Sequence, residues 1–167
     1  PHGADTVAEA FAPHPYVIVA PPGHALARER HITLSQVVRE PFIVREKGSD
    51  TWQSMAEGLG RHLERLNVAM EIRSTETIKQ AVLAGMGISF LSAHTVSREL
   101  RDKTLVMLDV QGFPLMLHWY LVWRRHKRLP PVAQAFREFL LAEGARLIRE
   151  VDPLPARVRA KSKLRPD

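Results

Sequence analysis

Apolar residues in this chain come either in short unbroken runs, as buried strands require, or at spacings of three and four, as one helix face requires. The run Tyr16-Val17-Ile18-Val19-Ala20 is closed by Pro21-Pro22-Gly23, which cannot continue a sheet ladder, so a strand is predicted over 16–20. Thr33 or Ser35 starts a short helix through Leu34, Val37 and Val38; Pro41 ends it, and Phe42-Ile43-Val44-Arg45 forms the next strand. A turn, Glu46-Lys47-Gly48-Ser49-Asp50-Thr51, follows. Trp52, Met55, Ala56, Leu59, Leu63 and Leu66 then mark an amphipathic helix over 52–66, weakened by Gly58 and Gly60.

The stretch from Met70 to Ile88 is the most informative. It reads as a strand over 69–73, a hydroxyl-rich turn, a helix over 76–84 with Ile78, Ala81, Val82 and Gly85 on one face, and a Gly85-Met86-Gly87 stop. A strand over 88–91, a short helix over 94–100 and a strand over 105–110 come next. After the break at Gln111-Gly112-Phe113-Pro114, a long strand over 115–124 carries Leu117, Trp119, Leu121 and Trp123 on one side. Pro130-Pro131 opens a terminal helix whose Val132, Ala135, Phe136, Phe139, Leu140, Leu147 and Ile148 form a stripe expected to be core, with a spare face for subunit contact. Strands alternating with helices imply an α/β layer structure with parallel pairing. In such sheets ligands favour the carboxyl ends of strands, beside helix N-termini. The turns 46–51 and 74–77 occupy such positions.

Composition narrows the picture without choosing a function. At 167 residues and 45% hydrophobic, the chain can bury a core as one domain or two small lobes. The absence of cysteine excludes disulfides and thiolate chemistry and fits a cytoplasmic location. No apolar run approaches a membrane span, so no membrane association is expected. The polar start carries no signal-peptide pattern, and a first residue other than Met leads us to expect a fragment or processed product. Of the net charge of +6, the segment 153–167 supplies four units, with five cations against one anion. This basic, proline-containing segment is expected to be disordered, with weak contact to DNA phosphates as the alternative.

Nothing in the chain supports catalysis. No Ser-His-Asp set, placed carboxylate pair or dinucleotide fingerprint is present, and the eight histidines show no metal-ligand spacing, so neither an enzyme, a metal nor a cofactor is expected.

Several blocks, in order, resemble the effector-binding domain of LysR-type transcriptional regulators. His14-Pro15-Tyr16-Val17-Ile18-Val19-Ala20-Pro21-Pro22-Gly23-His24-Ala25-Leu26 looks like the family's strand and following turn. Pro41-Phe42-Ile43-Val44-Arg45-Glu46-Lys47-Gly48-Ser49-Asp50-Thr51 looks like its first effector loop. The Met70–Ile88 stretch looks like its core, and Leu108-Asp109-Val110-Gln111-Gly112-Phe113-Pro114 with Trp119-Tyr120-Leu121-Val122 looks like its return strand. Within the family the wording is most similar to activators of carbon-fixation (Calvin cycle) operons.

The resemblance implies a periplasmic-binding-protein-like (type 2) lobe with a mixed, mostly parallel sheet flanked by helices. It implies a remnant of a first lobe and a crossover strand at 1–20, a second, effector-binding lobe at 21–114, and the return strand and terminal helix of the first lobe at 115–150. The basic tail then occupies 151–167. The DNA-binding domain and most of the first lobe would be missing, and DNA would be bound only through that absent module. Dimers or tetramers are implied, as is a small, anionic effector between the lobes, such as a phosphorylated metabolite or a nicotinamide nucleotide.

By position the resemblance places Ala20 and Pro21 on the cleft floor, Arg45, Glu46, Ser49 and Thr51 in the first effector loop, and Thr75, Glu76 and Thr77 in the second. Hydroxyls and helix-start amides suit an anion, with Arg45 as a nearby cation, while Glu46, Asp50 and Glu76 oppose one unless paired. Each of these residues also has a plainer role: Ser74 and Thr75 as helix caps, Ser49 and Thr51 as turn formers, Arg45 as a surface ion pair. The alternative from another class is a periplasmic-type solute-binding protein feeding a transporter.

Overall fold

In the computed structural model, which describes residues 5–151, a six-stranded sheet is built around one long strand. That strand, β1 (Thr6–Ala20), is followed by α1 (Leu34–Val37), β2 (Phe42–Arg45), α2 (Asp50–Leu59), β3 (Val68–Ile72), α3 (Thr75–Leu83) and β4 (Ile88–Ser92). Next come α4 (Ser97–Arg101), β5 (Val106–Met107), β6 (Leu115–Arg124), α5 (Pro131–Phe139) and α6 (Ala145–Val151). The sheet order is β3-β2-β4-β1-β5, with β6 also paired to β1. β2 runs parallel to β3 and β4, whereas β1 is antiparallel to β4, β5 and β6. The sheet is therefore mixed: β1 alone opposes the common direction of the other strands.

Period-two alternation divides the core into two layers. Ile18, Ala20, Phe42, Val44, Ile88 and Phe90 face α1 and α2 with Val37, Met55 and Leu59, while Val17, Val19, Ile43 and Leu91 face α3 and α4 with Ile78, Val82 and Val96. Each of these side chains is almost wholly buried. One close approach fixes the β2–β4 seam: the Ile88 N–H donates to the Pro41 carbonyl at 2.9 Å, and a Cβ on Gly87 would lie 2.4 Å from that oxygen.

Several elements differ from what the apolar pattern predicts. The expected strand over 16–20 is the last third of β1, whose first part pairs with β6 from Thr6 onward. The helix expected over 52–66 stops at Leu59, because Gly60 adopts φ +52°, and a 3-10 segment Gly60–Arg65 completes it. The strand expected over 105–110 shrinks to β5, with Val110 bridging Ile32 instead. The stripe expected to be core in the terminal helix is exposed: Val132 retains 77% of its surface and Phe136 59%. Among the described residues nothing packs over that face; the helix is held from its other side. There Arg137 pairs with Glu9 at 2.6 Å and lies over the Trp123 ring, and Gly144, in a wide turn at Leu140–Gly144, meets the Phe11 ring. The segment 153–167, expected to be disordered, lies outside the described residues.

Candidate functional site

The first turns of α2 and α3 and the carboxyl ends of β2 and β4 meet the middle of β1 around a cavity of about 250 Å³. Its lining includes His14, Tyr16, Arg45, Thr51, Thr75, Ser92, His94 and Trp119. Each position has a local cause. Ser49 caps α2, accepting from the Trp52 N–H at 3.1 Å and donating to the Glu46 carbonyl at 2.9 Å. Ser74 caps α3 in the same way, accepting from the Thr77 N–H at 3.2 Å. With Ser74 as the cap, the Thr75 hydroxyl is released toward the cavity. A helix also leaves its first amides without intrahelical partners, so the starts of α2 and α3 bring partial positive charge to this rim.

Arg45 is the organising cation. At the end of β2 its guanidinium donates to the Thr75 hydroxyl at 3.0 Å and, through two N–H groups, to Glu46 at 2.8 and 3.0 Å. Three of its five N–H groups are thereby engaged. The Arg45 hydrogen bond, helped by the backbone and by nearby Arg73, holds the Glu46 carboxyl below its ordinary value. Glu46 is thus a counter-ion that fixes the guanidinium beside the cavity.

The floor is aromatic. His14 is buried on β1, with Nε2 2.8 Å from the Ser92 hydroxyl, and its ring stacks on Trp119 at a centroid distance of 3.8 Å. The His94 ring follows at 5.8 Å in near-parallel orientation, and Tyr16 lies 4.7 Å away. Burial, then proximity to His94, pushes His14 down to about 4, so it is neutral at pH 7. His94 Nε2 is buried with no hydrogen-bond partner.

Of the residues singled out in the sequence, the structure brings Arg45, Thr51 and Thr75 to the cavity. Glu46 and Ser49 stand behind them, as counter-ion and cap. Glu76 points away, pairing with Lys79 at 2.7 Å and Gln80 at 2.8 Å, and Thr77 is exposed outside the lining. Ala20 and Pro21 are misplaced by the sequence reading. Because β1 opposes β4, Tyr16 pairs with Ser92 at the cavity while Ala20 lies at the far end, paired with Val106. Four residues of strand separate Ala20 from Tyr16, about 13 Å at roughly 3.3 Å per residue. His14, Ser92, His94 and Thr95 escaped the sequence reading. His14 shares the Tyr16 face by period two, and Ser92 and His94 follow the apolar run of β4, which is the signal that pointed to them.

The described residues contain no group of side chains arranged to hold a metal ion, and no helix long and apolar enough to cross a membrane. The LysR substrate binding domain family matches residues 1–145. The RuBisCO operon transcriptional regulator of Allochromatium vinosum is 46% identical over 147 residues, covering 88% of this chain and 49% of that protein. The HTH-type transcriptional regulator CbbR of Sinorhizobium medicae is 44% identical over 160 residues, covering 93% of this chain and 50% of that protein. The chain thus spans about half the length of the curated relatives it matches. Among solved structures, the Synechocystis PCC6803 CcmR regulatory domain in complex with 2-PG superposes with a TM-score of 0.76 at 36% identity, covering 85% of this chain and 68% of that one. These relatives are regulators of transcription rather than enzymes, and the solute-binding alternative finds no support among them. By its sequence, its layered mixed sheet and these matches, the chain belongs to the LysR substrate binding domain family.

Proposed function

We propose that this chain is the effector-sensing and oligomerisation part of a cytoplasmic LysR-type transcriptional regulator, and that its cavity is one wall of a cleft for a small anionic metabolite. The observation that carries this reading is the Arg45–Thr75 hydrogen bond at 3.0 Å, which sets a cation and a hydroxyl beside two helix N-termini in one concavity. Glu46 offsets the Arg45 charge but leaves N–H groups available to a ligand. The 2-PG bound by the CcmR regulatory domain supports the choice of an anion. In this reading residues 1–20 and 115–150 belong to a first lobe and 21–114 to a second, and β1 and β6 are the crossing strands. Effector binding would shift the lobes, and with them the subunits of a dimer or tetramer whose DNA contacts lie in the remainder of the protein.

Calorimetric titration of the full-length protein tests this against a panel of central metabolites, including 2-PG, other phosphorylated acids and nicotinamide nucleotides. Saturable binding of an anion that Arg45→Gln weakens about tenfold or more is expected, since a charge-assisted contact of about 1.5–3 kcal/mol is lost. An effector response indifferent to Arg45 would overturn the assignment.

A further inference from the structure

Beyond the hydroxyls and Arg45, the cavity contains a pair of imidazoles that no role described so far uses. The His94 Nε2 is the informative atom: it is buried, it belongs to a ring that lines the cavity, and it has no partner among the described residues. Whichever tautomer the ring holds, this nitrogen has a hydrogen bond left to give or take. A polar atom buried in that condition costs free energy, and a ligand group seated against it would recover that cost.

The ring is also held in place. Trp119, His14 and His94 form a layered series, at 3.8 Å between the first two rings and 5.8 Å between the last two. Ser92 fixes His14 through Nε2 at 2.8 Å. An indole face stabilises a cation placed over it, so the Trp119 ring favours positive charge on the stacked imidazole.

We propose that His94, supported by the His14–Trp119 stack, is a ligand-contacting residue that selects for anionic groups by taking up a proton as they bind. This rests on the reading of the cavity as an anion-binding effector site. The groups facing the pair are few. Tyr16 faces it from β1 and Ser92 from the end of β4; Arg45 faces it from β2, already joined to Glu46. Thr51 and Thr75 contribute hydroxyls from α2 and α3, and β6 contributes the Trp119 indole. No carboxylate lines the cavity, so nothing there compensates a positive imidazole before an anion arrives. His14 is neutral at pH 7 in the empty cavity, as burial beside His94 dictates. The proton therefore comes from solvent with the anion. The sign follows: affinity rises as pH falls, because the bound state holds the proton more tightly than the empty one.

The test is calorimetric titration of the full-length protein with sulfate and with 2-PG at pH 5.5 and pH 8.0, in two buffers of different ionisation enthalpy. Sulfate keeps its charge across this range, so its pH dependence belongs to the protein. Binding about tenfold tighter at pH 5.5 is expected, as a rise of one pKa unit on binding implies, with net proton uptake. His94→Gln should abolish both the uptake and the pH ratio, whereas Arg45→Gln should weaken binding at both pH values and keep the ratio. In the wild-type protein, the His94 ring ¹⁵N resonances should move toward the imidazolium position on adding sulfate at pH 6.5, a readout independent of how well the variants fold. Wild-type binding without proton uptake, uptake unchanged in His94→Gln, or a stationary His94 resonance at saturating sulfate overturns the inference and leaves the anion site standing. If neither anion binds at either pH, both readings fall.

Discussion

Replacing Thr75 by valine is the most discriminating perturbation of the Arg45 arrangement, because it removes one hydroxyl and keeps the side-chain shape. In the structure that hydroxyl accepts a single bond, from the Arg45 guanidinium at 3.0 Å. Two further bonds from Arg45 to Glu46, at 2.8 and 3.0 Å, survive the change, so the guanidinium stays near its place. A hydrogen bond involving a charged partner contributes about 1.5–3 kcal/mol, and water reaching the rim of an open cavity replaces part of it. The expected loss of folding stability is accordingly about 1 kcal/mol. If the hydroxyl also contacts the effector, affinity falls by about the same amount, roughly fivefold. Chemical denaturation gives the first quantity and calorimetric titration of the full-length protein the second. A double-mutant cycle with Arg45→Gln then isolates their coupling. Unchanged effector titrations in a folded Thr75→Val protein would refute the ligand role, and zero coupling in denaturation would refute the Arg45–Thr75 bond itself.

Other parts of the structure make independent claims. Gly87→Ala places a Cβ 2.4 Å from the Pro41 carbonyl oxygen, so backbone must move at the β2–β4 seam; overpacking against backbone should cost about 3 kcal/mol in a denaturation experiment, and a loss below about 1 kcal/mol would contradict the seam geometry. Phe136→Ser should change the melting temperature of this chain little, since the ring is 59% exposed and surface changes stay within about 0.5 kcal/mol; a large loss would mean the ring is covered. His14, pushed down to about 4 by burial and by His94, is less willing to take a proton folded than unfolded. Stability should therefore decline as pH falls from the ordinary histidine value toward 4, and His14→Gln should flatten that decline; an identical pH profile in the variant would refute the buried neutral imidazole.

Local patterns disclosed the elements whose partners lie nearby in the chain. The apolar runs at Phe42–Arg45 and Ile88–Ser92 and the face of α3 were readable because a buried strand or an amphipathic helix states its requirement within ten residues. The hydroxyl turns were equally visible, although the sequence left open which hydroxyl caps and which faces outward. The structure assigns the α3 cap to Ser74 and frees Thr75. Strand direction was not readable. Ala20 and Pro21 were placed in the cleft from the resemblance, and only the antiparallel pairing of β1 with β4 shows that they lie at the wrong end. The exposure of Val132 and Phe136 could not be seen either, since an apolar stripe specifies that something covers it and not where that partner is in the chain.

The reversal of β1 explains why one strand can serve both core and site. Its final residues, Val17 to Ala20, are wholly buried between the two helix layers and anchor the strand in the sheet. Running backward from there, it emerges at the carboxyl ends of β2 and β4, where Tyr16 and His14 meet Ser92 and His94. Beyond that point it leaves the helix-covered sheet and continues with β6 alone, past an irregularity between Ala10 and Ala12. A parallel strand in the same slot would have brought the apolar segment, not the imidazole and phenol, to the ligand end of the sheet. It is the opposed direction of a single strand, fixed by four ladder positions from Tyr16 to Val19, that places an aromatic floor beneath the Arg45–Thr75 rim.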